Sequence, residues 1–139
     1  VGFPLLERIQ VSGVVGGTEV VPVDPEQEVL RQSLLIVLPP DQRLQFNRIR
    51  WNLLTEEDLP VGIHLQILTD PDIGSQGLVI STSQGDTDTF IPPFFNGTGG
   101  PVNVFINVFL RSALDITVNV LPEGSSWWYS FSRLMGPGP

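Results

Sequence analysis

The chain has no cysteine and no lysine. The first absence excludes disulfides, thiolate–metal sites and thiol nucleophiles. The second leaves seven cations, all arginine: Arg8, Arg31, Arg43, Arg48, Arg50, Arg111 and Arg133. Histidine occurs once, as His64, so any Ser-His-Asp machinery would have to use that residue. Charged residues make up only 16% of the chain. Globular domains usually hold about a quarter, so much of this surface is neutral and suited to being covered by neighbours. The net charge of −8 speaks against a generalised nucleic-acid binder, which needs cations to displace phosphate counterions. It speaks equally against a polybasic membrane-surface protein. The longest apolar run, residues 34–40, is far too short to span a bilayer. The first residues lack the cationic start and apolar stretch of a secretory signal.

Alternation of apolar and polar residues dominates what remains. Val102, Val104, Ile106, Val108 and Leu110 share one face of a strand. After Ser112 and Ala113 the same period resumes with Leu114, Ile116, Val118 and Val120. This period of two predicts half-buried antiparallel strands, read here as a central hairpin. Ile9, Val11, Gly13 and Val15 define an earlier strand, and Ile49, Trp51 and Leu53 another, with Arg48, Arg50 and Asn52 on its opposite face. Ile63, Leu65 and Ile67 point inward from a further one. Residues 26–32 have helical propensity, but the β-rich run that follows stops at Pro39-Pro40 and predicts a strand from Val29. Turns are expected at 84–88 and 122–126, and an edge segment around Pro92-Pro93.

The pattern predicts an all-β protein: an antiparallel two-sheet β-sandwich of about eight strands, jelly-roll-like. It forms one domain over residues 1–139, with extended arms at 1–6 and 134–139 that carry Pro4 and the closing Gly-Pro-Gly-Pro.

Candidate sites are few. His64 alternates outward between Ile63 and Leu65, and no Gly-x-Ser-x-Gly elbow accompanies it. A surface or interface histidine is therefore preferred over a catalytic one, and no catalytic residue or cofactor is assigned. Asp70, Asp72, Asp86 and Asp88 sit on turn-rich segments and are the calcium candidates, since hard cations take several loop oxygens. The Asp70-x-Asp72 start of an EF-hand loop lacks the later glycine and glutamate, and solvated loop acids are the plainer reading. Asn96-Gly97-Thr98 fits a glycosylation sequon and also a simple turn. Arg48 and Arg50 are expected to meet the loop acids of a neighbouring subunit.

Aromatic side chains carry the functional reading. Phe105 and Phe109 lie opposite the valine face of their strand, and Trp127, Trp128, Tyr129 and Phe131 crowd the last one. Adjacent tryptophans must point to opposite faces. Rings left outside a closed sandwich mark a binding surface. With the arms, they predict a non-enzymatic subunit that associates with copies of itself.

Strand number and spacing over nearly all 139 residues resemble the small jelly-roll proteins of virus particles: single jelly-roll capsid subunits and phage capsid decoration proteins. The resemblance implies a homo-oligomeric, trimeric structural role in the virion, beside other shell proteins and without chemistry. The net charge of −8, not the resemblance, carries the expectation of no nucleic-acid or membrane partner. Outside a virion the expected location is secreted or surface. The alternative is a lectin-like, carbohydrate-binding β-sandwich in which Trp127, Trp128 and Tyr129 stack on a glycan.

Overall fold

The computed structural model describes residues 5–15, 19–21, 28–89, 91–112 and 117–136. Every regular element among them is a strand: β1 (Leu5–Val14), β2 (Glu19–Val21), β3 (Val29–Leu38), β4 (Gln42–Thr55), β5 (Val61–Asp70), β6 (Gln76–Ile80), β7 (Gln84–Thr87), β8 (Phe94–Phe95), β9 (Val102–Ser112) and β10 (Val118–Met135). All pairings are antiparallel. The larger sheet runs β1-β10-β4-β7, and the smaller runs β3-β9-β5-β6. The short strands β2 and β8 add to the larger sheet along β10 and β4.

The pairing is that of one long hairpin rolled up on itself. Its turn lies between β5 and β6, which pair with each other; outward from there β4 pairs with β7, β3 with β9 and β1 with β10. Rolling such a ribbon sends successive pairs alternately into two sheets, and this is the jelly roll. The expected two-sheet sandwich is therefore what the chain adopts.

Strand alternation builds the core between the sheets. Val102, Val104, Ile106, Val108 and Leu110 of β9 are fully buried, as are Val61, Ile63, Leu65 and Ile67 of β5. Leu44, Ile49 and Leu53 of β4, and Val120, Tyr129 and Phe131 of β10, close over them from the larger sheet. Each such aliphatic or aromatic side chain contributes about 1.5–3 kcal/mol relative to an exposed one.

Four sequence expectations are corrected. The segments expected to form a central hairpin do not pair: β9 lies in the smaller sheet and β10 in the larger. Alternation reports which face is buried, not which strand lies alongside. Leu114 and Ile116 lie outside the described residues. Second, residues 84–87 form β7 against β4 rather than a turn. Third, residues 122–125 do not reverse the chain. They form a wide bulge in β10, four residues opposite the single Leu53 of β4. Side chains satisfy the disturbed backbone there: Asn52 Nδ2 donates to the Gly124 carbonyl (2.9 Å) and Ser125 Oγ accepts from the Leu54 amide (2.9 Å). Fourth, the inner ends of the presumed arms belong to the sheet, since Leu5 pairs with Leu134. Residues 1–4 and 137–139 lie outside the described residues.

Gly62 of β5 lies close against the backbone at the end of β6. A Cβ at this position would stand 2.1 Å from the Ile80 carbonyl oxygen. Backbone cannot swing aside as a side chain does, so Gly62→Ala is expected to destabilise the fold by about 1–3 kcal/mol through overpacking. Urea denaturation checks this, with Gly99→Ala as the control, because nothing lies within 4 Å of a Cβ there.

Candidate functional site

With the core closed between them, each sheet presents its other face outward. On the smaller sheet, registered residues form bands across the strands. Leu35, Phe105 and Leu68 make one row. Leu30, Phe109, His64 and Val79 make another. Between them runs a polar row, where Ser33 Oγ donates to Asn107 Oδ1 (2.6 Å) and Asn107 Nδ2 donates to Gln66 Oε1 (3.2 Å). The apolar rows are open: Leu30 is 50% exposed, Leu35 52%, Leu68 40% and Val79 49%, with Val37 beyond them at 52%. Phe105 and Phe109 are half-buried in the same face.

The charges on this face are mutually satisfied at one end. His64 Nδ1 lies 2.7 Å from Glu28 Oε2, and Arg111 NH1 lies 3.5 Å from Glu28 Oε1. The His64 ring also stacks on Phe109, centroids 5.7 Å apart. No serine or threonine hydroxyl hydrogen-bonds to His64 among the described residues, so the ring sits in a carboxylate and aromatic setting rather than beside a nucleophile.

The outer face of the larger sheet is different in kind. Arg8 and Gln10 of β1, Trp128 and Ser130 of β10, and Asn47 and Arg48 of β4 line a groove of about 390 Å³. Asn47 is an extra residue in β4: Phe46 pairs with Phe131 and Arg48 with Ser130, leaving Asn47 unpaired between them. Such a bulge turns two successive side chains to one face. The Asn47 amide is held in place by donating to Ser130 Oγ (3.2 Å) and Ser132 Oγ (2.8 Å). Trp128 is half-buried at the groove. Arg48 and Arg50 both pair with Asp86 of β7, yet their side chains remain 56% and 63% exposed.

No protein-family model, curated protein or solved structure matches this chain.

The structure sorts the aromatic candidates. Trp127, Tyr129 and Phe131 are 3%, 0% and 0% exposed and belong to the core of their own chain, so the expectation that they face a partner or a glycan is corrected. The cause is the strand period: with Tyr129 inward, Trp127 and Phe131 must follow it, and Trp128 alone turns out. Gly13 makes room for this, since a Cβ there would meet the Trp127 indole at 2.3 Å. Arg48 and Arg50, expected to meet a neighbour's acids, find Asp86 within their own sheet.

The calcium candidates are not gathered. Asp86 is taken by arginines, and Asp88 is exposed two residues further on. Asp72 Oδ1 accepts from the Gly74 amide (3.0 Å), the Ser75 amide (3.1 Å) and the Thr69 hydroxyl (3.2 Å). Those backbone donors, then the Thr69 hydroxyl, hold its carboxyl below the usual aspartate range. Asp72 thus orders its own loop, while Asp70 ends β5 in register with Asn103. No group of three or more metal-ligating side chains exists among the described residues. Asn96 is buried, its amide donating to the Leu38 and Gly100 carbonyls (2.8 and 2.9 Å). It is a loop clamp, and the sequon reading falls away.

Sequence reasoning missed Leu30, Leu35, Val37, Leu68 and Val79. The signal was present in residues 34–38, which are all apolar. In a two-layer sandwich, one face of such a strand has to point out.

Tyr129 offers a clean titration. Burial pushes its phenol up to about 12 from an ordinary value of 10.0. The folded state thus holds its proton where the unfolded state has lost it. Stability from this group is complete below pH ~10 and is lost as pH rises through the folded value near 12. With no cysteine or lysine and a single tyrosine, no other side chain titrates in that window. Tyrosinate absorbance should therefore rise together with unfolding, and Tyr129→Phe should flatten the alkaline limb of the stability curve.

Proposed function

We propose that this chain is a non-enzymatic assembly subunit, a capsid or capsid-decoration protein of a virion, that self-associates through the outer face of its smaller sheet. One observation carries the reading: two rows of apolar side chains, centred on Phe105 and Phe109, cross an open sheet face and leave Leu30, Leu35, Val37, Leu68 and Val79 some 40–52% exposed. Free monomers rarely leave so many large apolar side chains open on one sheet face.

A second copy is the occupant that the charges favour. Two molecules of net charge −8 repel each other unless they meet on a neutral surface. On this face Glu28 is paired with Arg111 and hydrogen-bonded to His64 at one end, the exposed Asp70 stands beside Asn103 at the other, and the middle is apolar or amide and hydroxyl. A two-fold axis across that middle sets the Asp70 end of one copy against the Arg111 end of the other, so like charges need not meet. The jelly roll is shared by capsid proteins and lectins, so topology alone does not choose between them.

Sedimentation equilibrium over a wide concentration range tests the assembly. A closed oligomer is expected, and one that persists at high salt because apolar burial, unlike surface ion pairing, is not screened. A chain that stays monomeric at high concentration overturns the reading.

A second reading, carbohydrate binding, is favoured by one observation. Trp128, half-buried, lines a groove of about 390 Å³ together with Gln10, Asn47 and Ser130, the mixture of ring and hydrogen-bonding groups that a saccharide needs. The two readings use opposite sheets and are compatible in one molecule: a subunit packed through one face presents the other outward.

A further inference from the structure

We infer that the Trp128 groove selects an acidic saccharide, one whose pyranose ring carries a carboxylate. This rests on the carbohydrate reading and is independent of assembly. In a chain of net charge −8, three of the seven arginines, Arg8, Arg48 and Arg50, project from the outer face of one sheet. The acid paired with them among the described residues is Asp86, which engages Arg48 and Arg50. Arg8 makes no ion pair with a described residue. The face is thus locally cationic on an acidic molecule, and local sign decides which ligand is drawn in.

The groove divides the recognition among its walls. The Trp128 indole offers a flat apolar surface to the C–H face of a sugar ring. Asn47 spends its amide hydrogens on Ser130 and Ser132, which leaves its oxygen as a fixed acceptor for a ring hydroxyl. Gln10, on β1 across from Ser130, supplies both a donor and an acceptor. Arg8 and Arg48 bracket these groups in the groove lining, and a guanidinium fork matches a carboxylate with two parallel hydrogen bonds. Because the bulge in β4 turns Asn47 and Arg48 out side by side, hydroxyl and carboxylate recognition fall on neighbouring positions of one rigid strand. A single-stranded nucleic acid would also bring a ring and an anion. It spreads a charge over every residue, however, and three arginines on a molecule of net charge −8 are a poor match for that density.

Titration calorimetry on the intact chain tests this with an oligogalacturonate, a neutral malto-oligosaccharide and a short single-stranded DNA. The acidic oligomer is expected to bind about tenfold or more tightly than the neutral one, with an affinity that falls as salt rises. Trp128→Ala should weaken both saccharides, whereas Arg8→Gln and Arg48→Gln should each weaken the acidic one by about tenfold and the neutral one by much less. Equal binding of the two saccharides overturns the inference while carbohydrate binding stands. Tighter binding of the DNA, or unaltered affinity in both arginine variants, also overturns it. Failure of both saccharides to bind overturns the carbohydrate reading itself.

Discussion

Phe131→Ala is expected to lower the unfolding free energy by about 3–5 kcal/mol. Phe131 is fully buried and meets two other rings edge-on: Phe46 at 5.6 Å and 72°, and Tyr129 at 5.9 Å and 85°. Alanine removes the apolar transfer energy, leaves a void between closely packed rings, and forfeits two edge-to-face contacts. Against a total stability of about 5–15 kcal/mol for a domain, much of the margin disappears. The melting temperature should fall by roughly 10–20 °C, followed by near-ultraviolet circular dichroism, since Phe131 is lost and the two rings it touches change environment. If the ring instead served an interface, the melting temperature of the monomer would not move.

Phe105→Asp should have the opposite profile: a modest effect on folding and a large one on assembly. Phe105 stands between Leu35 and Leu68 on the outer face of the smaller sheet. In a monomer an aspartate there stays hydrated. In an assembly through this face it would be stripped of water among apolar side chains. Central aromatic anchors of interfaces cost about 2 kcal/mol or more when removed, and burying an unpaired charge adds to that. Dissociation should strengthen by about a hundredfold or more, read as a shift to monomer in sedimentation equilibrium. Trp128→Asp, on the opposite sheet, is the control that leaves assembly intact. If Phe105→Asp assembles as the parent does, the smaller sheet is not the contact face.

Much of this architecture was legible in particular residues. Val102 to Leu110 alternate so regularly that the pattern itself gives the buried face of β9, and the same holds for Ile63, Leu65 and Ile67 of β5. The opposed directions of Trp127 and Trp128 followed from strand geometry alone, although which of the two would be buried did not. The candidate groove was only partly legible. Arg48 was visible as an outward cation, but Arg8 and Gln10 come from a strand about forty positions away along the chain, and Asn47 joins them through a bulge that no local pattern announces.

The order of residues alone therefore determined strand content, strand faces and the absence of thiol chemistry, because those depend on side-chain period and composition. Tertiary structure decided which strands lie side by side. It separated β9 from β10, turned residues 84–87 into a paired strand, and closed Tyr129 and Phe131 into the core. The reason is physical: alternation fixes the two sides of a strand within the chain, whereas its neighbours are chosen by long-range hydrogen bonding and by the matching of apolar surfaces. Those depend on the whole rolled ribbon at once.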